Sequence, residues 1–288
     1  MAAGAVAGAG WRGRALTLPG ALAAWLTGAV VTSAGWNHAA AMLAFFLSGS
    51  ALSQLQGEHG PALTAIWEKG GRRDAAQVAA NGGVAVVTAL LHLARPGPLP
   101  AAAYMGALAA SSADTWATEI GVRSAAAPRR ITDGRPILTG MSGGVTALGL
   151  AGSIAGAAFL AGVAVCTQAR SRPSSRLRQF VGLCLAGIGG SLVDSLLGAT
   201  VQASRRCPVC QVATERRIHQ CGASTHRTRG YAWVQNDAVN VAATIVGATL
   251  AVVWQWRLGE PRTRQGDAVR SVSYATGNNS IDATVITA

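Results

Sequence analysis

The sequence predicts an all-α fold, a polytopic transmembrane bundle of about seven Gly/Ala-rich helices. Three observations carry that reading. No Asp, Glu, Lys or Arg occurs in residues 15–57, a run long enough to cross a hydrocarbon core of about 30 Å twice. Half of the 288 residues are hydrophobic, only 12% are charged, and 36 glycines suit close helix contacts in lipid. The arginines sit in short loops between apolar runs, so the net charge of +12 reads as membrane topology and anionic headgroups, not as nucleic-acid binding.

Taken in order, the first span (about 16–34) and the second (38–55) are joined by a tight turn at Gly35-Trp36-Asn37. The second span gathers hydroxyls at its exit, at Ser48, Ser50 and Ser53. A mixed-charge loop follows, carrying Glu58, Glu68, Lys69, Arg72, Arg73 and Asp74. The third span, 75–94, places Asn81 one turn inside the membrane, and Gly82-Gly83 predicts close backbone approach. The fourth begins with the uncharged run 96–113 and continues into Asp114-Thr-Trp-Ala-Thr-Glu-Ile-Gly121. The fifth, sixth and seventh cover about 145–169, 180–201 and 238–255. Counts from five to nine remain compatible, because Ala/Gly-rich helices are only moderately hydrophobic. Residues 1–256 are expected to form one membrane domain with a Cys/His loop at 203–234, and 257–288 a polar, disordered tail. The segment 1–14 does not read as a transit peptide, and five cysteines decide nothing about compartment.

The chemistry is expected at the end of the fourth span. On a helix, Ser111, Ser112, Asp114, Thr115, Thr118 and Glu119 share an arc of about 160°, opposite Ala113, Trp116, Ala117 and Ile120. Acids at membrane depth are costly, and this face predicts a polar cavity; a solvated interfacial helix end is the plainer alternative. The sixth span carries a similar stripe of Ser191, Asp194, Ser195, Gly198 and Gln202, and the seventh one of Asn236, Asp237, Asn240 and Thr244. Singly, each stripe reads as interhelical hydrogen bonding. Together they point to one site, because strict alternation of seven spans brings them all to one membrane face.

Asp114, Glu119, Asp194 and Asp237 are therefore the candidate catalytic carboxylates and ligands for Mg²⁺. Ser142-Gly143-Gly144 opening the fifth helix is expected to offer backbone N–H groups to phosphate. Asn81, Asn236, Asn240 and the loop arginines Arg129 and Arg130 are further phosphate-binding candidates, with Arg72, Arg73 and Arg135 as alternatives for the cation. Cys207, Cys210, His219 and Cys221 offer four ligands to zinc, although the spacing equally admits a disulfide or a chance cluster; the loop is expected to be structural.

Five segments together resemble one integral-membrane family: Gly71–Gly82, Ala113–Gly121, Ser142–Thr146, Asp194–Thr200 and Asn236–Asn240. That family includes transmembrane protein 19 and the plant phytyl-phosphate kinase. The resemblance implies transfer of a phosphoryl group from a nucleoside triphosphate, CTP or ATP, to an isoprenyl monophosphate, phytyl or polyprenyl, in a membrane lipid setting. Two departures point to the transmembrane protein 19 branch. Ala51-Leu-Ser-Gln54 lacks the two lysines the family often has after the second helix, and the Cys/His loop comes without a transit peptide. The endoplasmic reticulum or another endomembrane is the expected location, the plastid envelope the alternative. A transporter of a small anionic or polar solute, or a non-catalytic member of the same family, are the competing functions.

Overall fold

The computed structural model describes residues 2–55, 61–167 and 173–258. Residues 2–258 form one compact unit, and the expected polar tail lies, from residue 259 on, outside the described residues. Seven long helices correspond to the seven expected spans: α2 (Leu18–Ser33), α3 (Trp36–Leu55), α5 (Ala75–Ala94), α6 (Pro98–Gly121), α7 (Ala147–Thr167), α8 (Pro173–Thr200) and α9 (Asn236–Arg257). Two helices were not foreseen: α1 (Ala2–Arg12), which packs on α2, and the short α4 (Pro61–Ile66).

Local chemistry sets the boundaries. Thr17 caps α2 by accepting the Gly20 N–H at 3.2 Å, with a proline in the first turn, and Gly35, at φ +122°, makes the turn into α3. Asp74 and Gln77 form a reciprocal capping box at the start of α5, with bonds of 2.8 and 3.1 Å. Pro98 opens α6 after Arg95-Pro96-Gly97.

Among the described residues five helices, α3, α5, α7, α8 and α9, are long and apolar enough to cross a membrane. The other two depart for identifiable reasons. α2 has only 16 residues, and α6 spends its last turns on hydroxyls and acids. α6 is the centre of the bundle, packed against α3, α5, α7, α8 and α9, and every residue from Ala103 to Ala113 is buried. Small residues allow this. A Cβ on Gly106 would stand 2.4 Å from the carbonyl oxygen of Gly247, so α6 and α9 cross with their backbones almost touching. The inside of the bundle is largely Ala, Gly and Ser, whereas Leu22, Leu26, Leu90, Ile154, Leu185 and Ile245 point outward, as lipid contact requires. Gly82-Gly83 does not make the expected close approach: a Cβ on Gly82 meets only ordinary contacts and one on Gly83 nothing within 4 Å.

The loops are not purely irregular. β1 (Arg129–Arg130) pairs antiparallel with β2 (Gly144–Val145), and the Cys/His loop folds as a small antiparallel sheet in the order β4 (Ala213–Thr214), β3 (Ser204–Arg206), β5 (His226–Arg229).

Candidate functional site

The loops between α3 and α5, α6 and α7, and α8 and α9 meet at one end of the bundle and enclose a cavity of about 300 Å³. The N-terminal segment lies at the same end, where the Arg73 N–H donates to Ala15 O and Gln54 Nε2 to Gly13 O. The predicted convergence therefore holds: Asn81, Asp114, Glu119, Ser142, Gly143, Gly144, Asp194, Asn236, Asp237 and Asn240 all line this cavity. It is not the bundle's one polar cluster. At the opposite end Tyr104 donates to His38 O at 2.6 Å, and the His38 and His92 rings lie 4.8 Å apart.

The four expected carboxylates are not brought to a single point. Asp114 on α6 is bonded by Ser191 of α8, and Asp194 lies within electrostatic reach of Asp114 and of Glu215 from the Cys/His loop. Asp194 Oδ2 is buried without a hydrogen-bond partner, an arrangement that costs free energy unless a cation answers it. Glu119 instead accepts from Ser53 at 2.5 Å and feels the charge of Arg73, whose guanidinium reaches Ser50 at 3.3 Å. A Cβ on Gly49 would stand 2.8 Å from that guanidinium, so the glycine makes room for it. Asp237 is paired with Lys69 at 2.5 Å, and Lys69 also holds Asp74 at 2.9 Å. Burial alone would depress the Lys69 ammonium, but its bonds to Asp237 and Asp74 outweigh it and hold the pKa above its ordinary value.

Two expectations are corrected. Ser142-Gly143-Gly144 is not a helix start with free N–H groups. α7 begins at Ala147, capped by Thr146 Oγ1, which accepts from Gly149 N at 2.9 Å; Gly144 belongs to β2, and the Ser142 N–H is already taken by Glu215 Oε1 at 2.9 Å. Gly143 is needed for another reason. Its φ is +84°, and a Cβ there would meet the Ala199 backbone at 2.5 Å. Arg129 and Arg130 do not reach the cavity. They lie in β1, where Arg129 donates to Gly134 O and Arg130 to Asp133, each at 3.0 Å.

Sequence reasoning missed Glu215 and passed over Lys69. Glu215 is the one acid in the 203–234 loop, and that isolation was the available signal. Its carboxyl is pushed above its ordinary value by burial, with the bonds to Ser142 pulling the other way. Ser142 Oγ in turn accepts from Gln202 at 2.8 Å. Cys207, Cys210, His219 and Cys221 do come together, outside the cavity lining, with their ligand atoms all within 4.8 Å of one another.

Residues 1–248 match the family described as integral membrane protein DUF92. The chain belongs to that family. Two members show how far the likeness extends. Protein PGR of Arabidopsis thaliana is 29% identical over 263 residues, covering 84% of this chain and 90% of its own. An uncharacterized membrane protein of Synechocystis sp., sll0875, is 24% identical over 233 residues, covering 80% and 78%. No solved structure matches the chain. The family match takes in every residue of the cavity, so the site is part of what the family shares in length and is not an appended domain.

Proposed function

We propose that this multi-pass membrane protein is a phosphoryl transferase acting on a lipid phosphate, an isoprenyl-monophosphate kinase that uses CTP or ATP. The observation that carries the reading is the Asp194 carboxylate, whose Oδ2 is buried without a hydrogen-bond partner, beside Asp114 in a polar cavity at one end of the bundle. Two adjoining carboxylates fit a hard divalent cation, and Mg²⁺ commonly takes only one or two carboxylates, the rest of its shell being water and phosphate. When bound, Mg²⁺ would neutralise the polyphosphate. Asp114 and Asp194 would hold it, and Lys69 and Arg73 would balance the remaining phosphate charge. In the reaction an oxygen of the isoprenyl monophosphate attacks the γ-phosphorus; the bond to the β-phosphate oxygen breaks, leaving a nucleoside diphosphate and the isoprenyl diphosphate.

Leu150 and Leu192 line the same cavity and are 41% and 39% exposed, which gives it an apolar margin suited to a lipid tail. The cavity face also carries 15 of the 24 Lys/Arg, so the positive-inside rule turns it to the cytosol, where nucleoside triphosphates are available; an endomembrane location goes with this reading.

Protein purified in detergent is expected to convert phytyl or polyprenyl monophosphate to the diphosphate only with Mg²⁺ and a nucleoside triphosphate. Asp114→Asn is expected to remove most turnover while the protein still elutes as a folded species. Wild-type turnover in that variant would overturn the site. Solute flux into proteoliposomes without nucleotide, together with no phosphorylation of any lipid phosphate tried, would replace the kinase by a carrier.

A further inference from the structure

We propose that Cys207, Cys210, His219 and Cys221 bind one zinc ion, and that this ion clamps the 203–234 loop so that Arg205 and Glu215 close one wall of the cavity. The inference is independent of the phosphoryl-transfer reading, because it concerns a metal the loop needs in order to fold.

The geometry separates zinc from a disulfide. Cys207 and Cys221 Sγ are 3.6 Å apart, and His219 Nδ1 stands 3.3 Å from Cys221 Sγ. A disulfide would join only two of the four groups, at about 2.05 Å. Around a tetrahedral zinc, with Zn–S about 2.3 Å and Zn–N about 2.0 Å, neighbouring ligand atoms fall about 3.5–3.8 Å apart. The two spacings lie close to the second arrangement and far from an S–S bond, and all four ligand atoms lie within 4.8 Å of one another. His219 is buried, and its Nδ1 is the ring nitrogen turned toward the cysteine sulfurs.

The backbone is built for the same end. Each ligand pair sits on a tight turn followed at once by a residue in the left-handed region, Gln211 after Cys210 (φ +57°) and Gly222 after Cys221 (φ +83°). Cys210 N donates to Cys207 Sγ at 3.4 Å and Gly222 N to His219 O at 2.9 Å. Gln211 has no glycine's freedom, and that strain needs something to offset it.

The loop has little else to hold it. Its strands are two to four residues long, and four of its large apolar side chains point outward: Val209, Ile218, Tyr231 and Trp233 are all more than half exposed, with Val234 buried. A unit of about thirty residues without an apolar core requires a metal or a covalent staple. Yet the loop makes ordered contacts on both sides of the cavity mouth. Thr214 Oγ1 donates to Ala65 O at 2.8 Å, Glu215 N to Ile66 O at 2.9 Å, and Arg216 to the carbonyls of Thr64 and Trp67 at 3.1 and 3.0 Å. Arg229 donates to the Gly198 and Ala199 carbonyls at the end of α8. A zinc ion in this loop is what makes those contacts cooperative.

Full-length protein purified in detergent without added metal is expected to carry about one equivalent of zinc by elemental analysis. Cys207→Ser with Cys221→Ser is expected to lose it. Stripping zinc from the wild type with a strong chelator is expected to open the arginine-rich 203–234 loop to trypsin, and returning zinc alone to restore protection. Thiols that react only after reduction would make the pair a disulfide and overturn the proposal, as would zinc-free protein with freely reactive thiols. Zinc whose removal leaves trypsin cleavage unchanged would overturn the clamp.

Discussion

Lys69 Nζ stands 2.5 Å from Asp237 Oδ2, joining the loop after α4 to the first turn of α9 across 168 residues of sequence. Asp237 Oδ1 is buried and unpartnered, so the ammonium is what balances this carboxylate. Lys69→Met is expected to lower kcat for lipid-phosphate phosphorylation by about 10²-fold, the usual loss when one charge-stabilising group is removed. Because the pair is partly solvated, stability should change by no more than about 1 kcal/mol. A thermal melt alongside the assay separates the two effects.

Asp194→Asn is expected to move activity and stability in opposite directions. Neutralising a carboxylate that has one buried, unpartnered oxygen and stands beside Asp114 relieves like-charge repulsion, so Tm should rise by about 2–4 °C, the shift about 1 kcal/mol makes in a chain of this size. Turnover should fall to background. A drop in Tm would mean that Asp194 is a packing residue.

Much of this site was legible because its signal is local. Asp114, Asp194 and Asp237 stand out in the sequence as acids where apolar helices begin or end, and alternation of spans suffices to bring them to one face. The rest depended on contacts between distant segments. Nothing near Glu215 announces that its side chain crosses to Ser142, 73 residues away. Arg129 and Arg130 looked like phosphate ligands because charge is visible in sequence, whereas the β-hairpin that turns them toward Gly134 and Asp133 is not. Ser142-Gly143-Gly144 has the composition of an anion-binding turn, and only the third dimension shows that Ala199 already fills the space beside Gly143.

Two glycines should respond in opposite ways to the same methyl group. Gly106→Ala would push its Cβ to 2.4 Å from both Gly247 O and Ala251 Cβ, prising α6 from α9 at a cost of about 1–3 kcal/mol. Gly83→Ala meets open space inside α5 and should be neutral or stabilising by up to about 1 kcal/mol. Melting curves of the two variants in one detergent check both; equal shifts would contradict the helix crossing described above.

The orientation has its own measurement. If the cavity face is cytosolic and all seven long helices cross, Asn278-Asn279-Ser280, an acceptor for N-glycosylation, is expected on the other side. Expressed in a glycosylating membrane, the protein is expected to show a glycosidase-sensitive shift that Asn278→Gln removes. Labelling of a cysteine introduced at Ala275 by an impermeant reagent applied to the cytosolic side would reverse the topology.

The enclosure of α6 by five other helices has a consequence for how the protein is made. A segment ending in Asp114, Thr115, Thr118 and Glu119 partitions less readily from a translocon into lipid than a wholly apolar one, each acid near its end costing part of the about 2.5–3.5 kcal/mol that a central one costs. α6 precedes α7, α8 and α9 in the chain and yet packs on all three. It must therefore wait at the membrane boundary, or enter beside α5, until its later partners are synthesised. Biogenesis and assembly of the cavity are then one event, and a chain truncated before α9 would be exposed to quality control through the very helix that carries its chemistry.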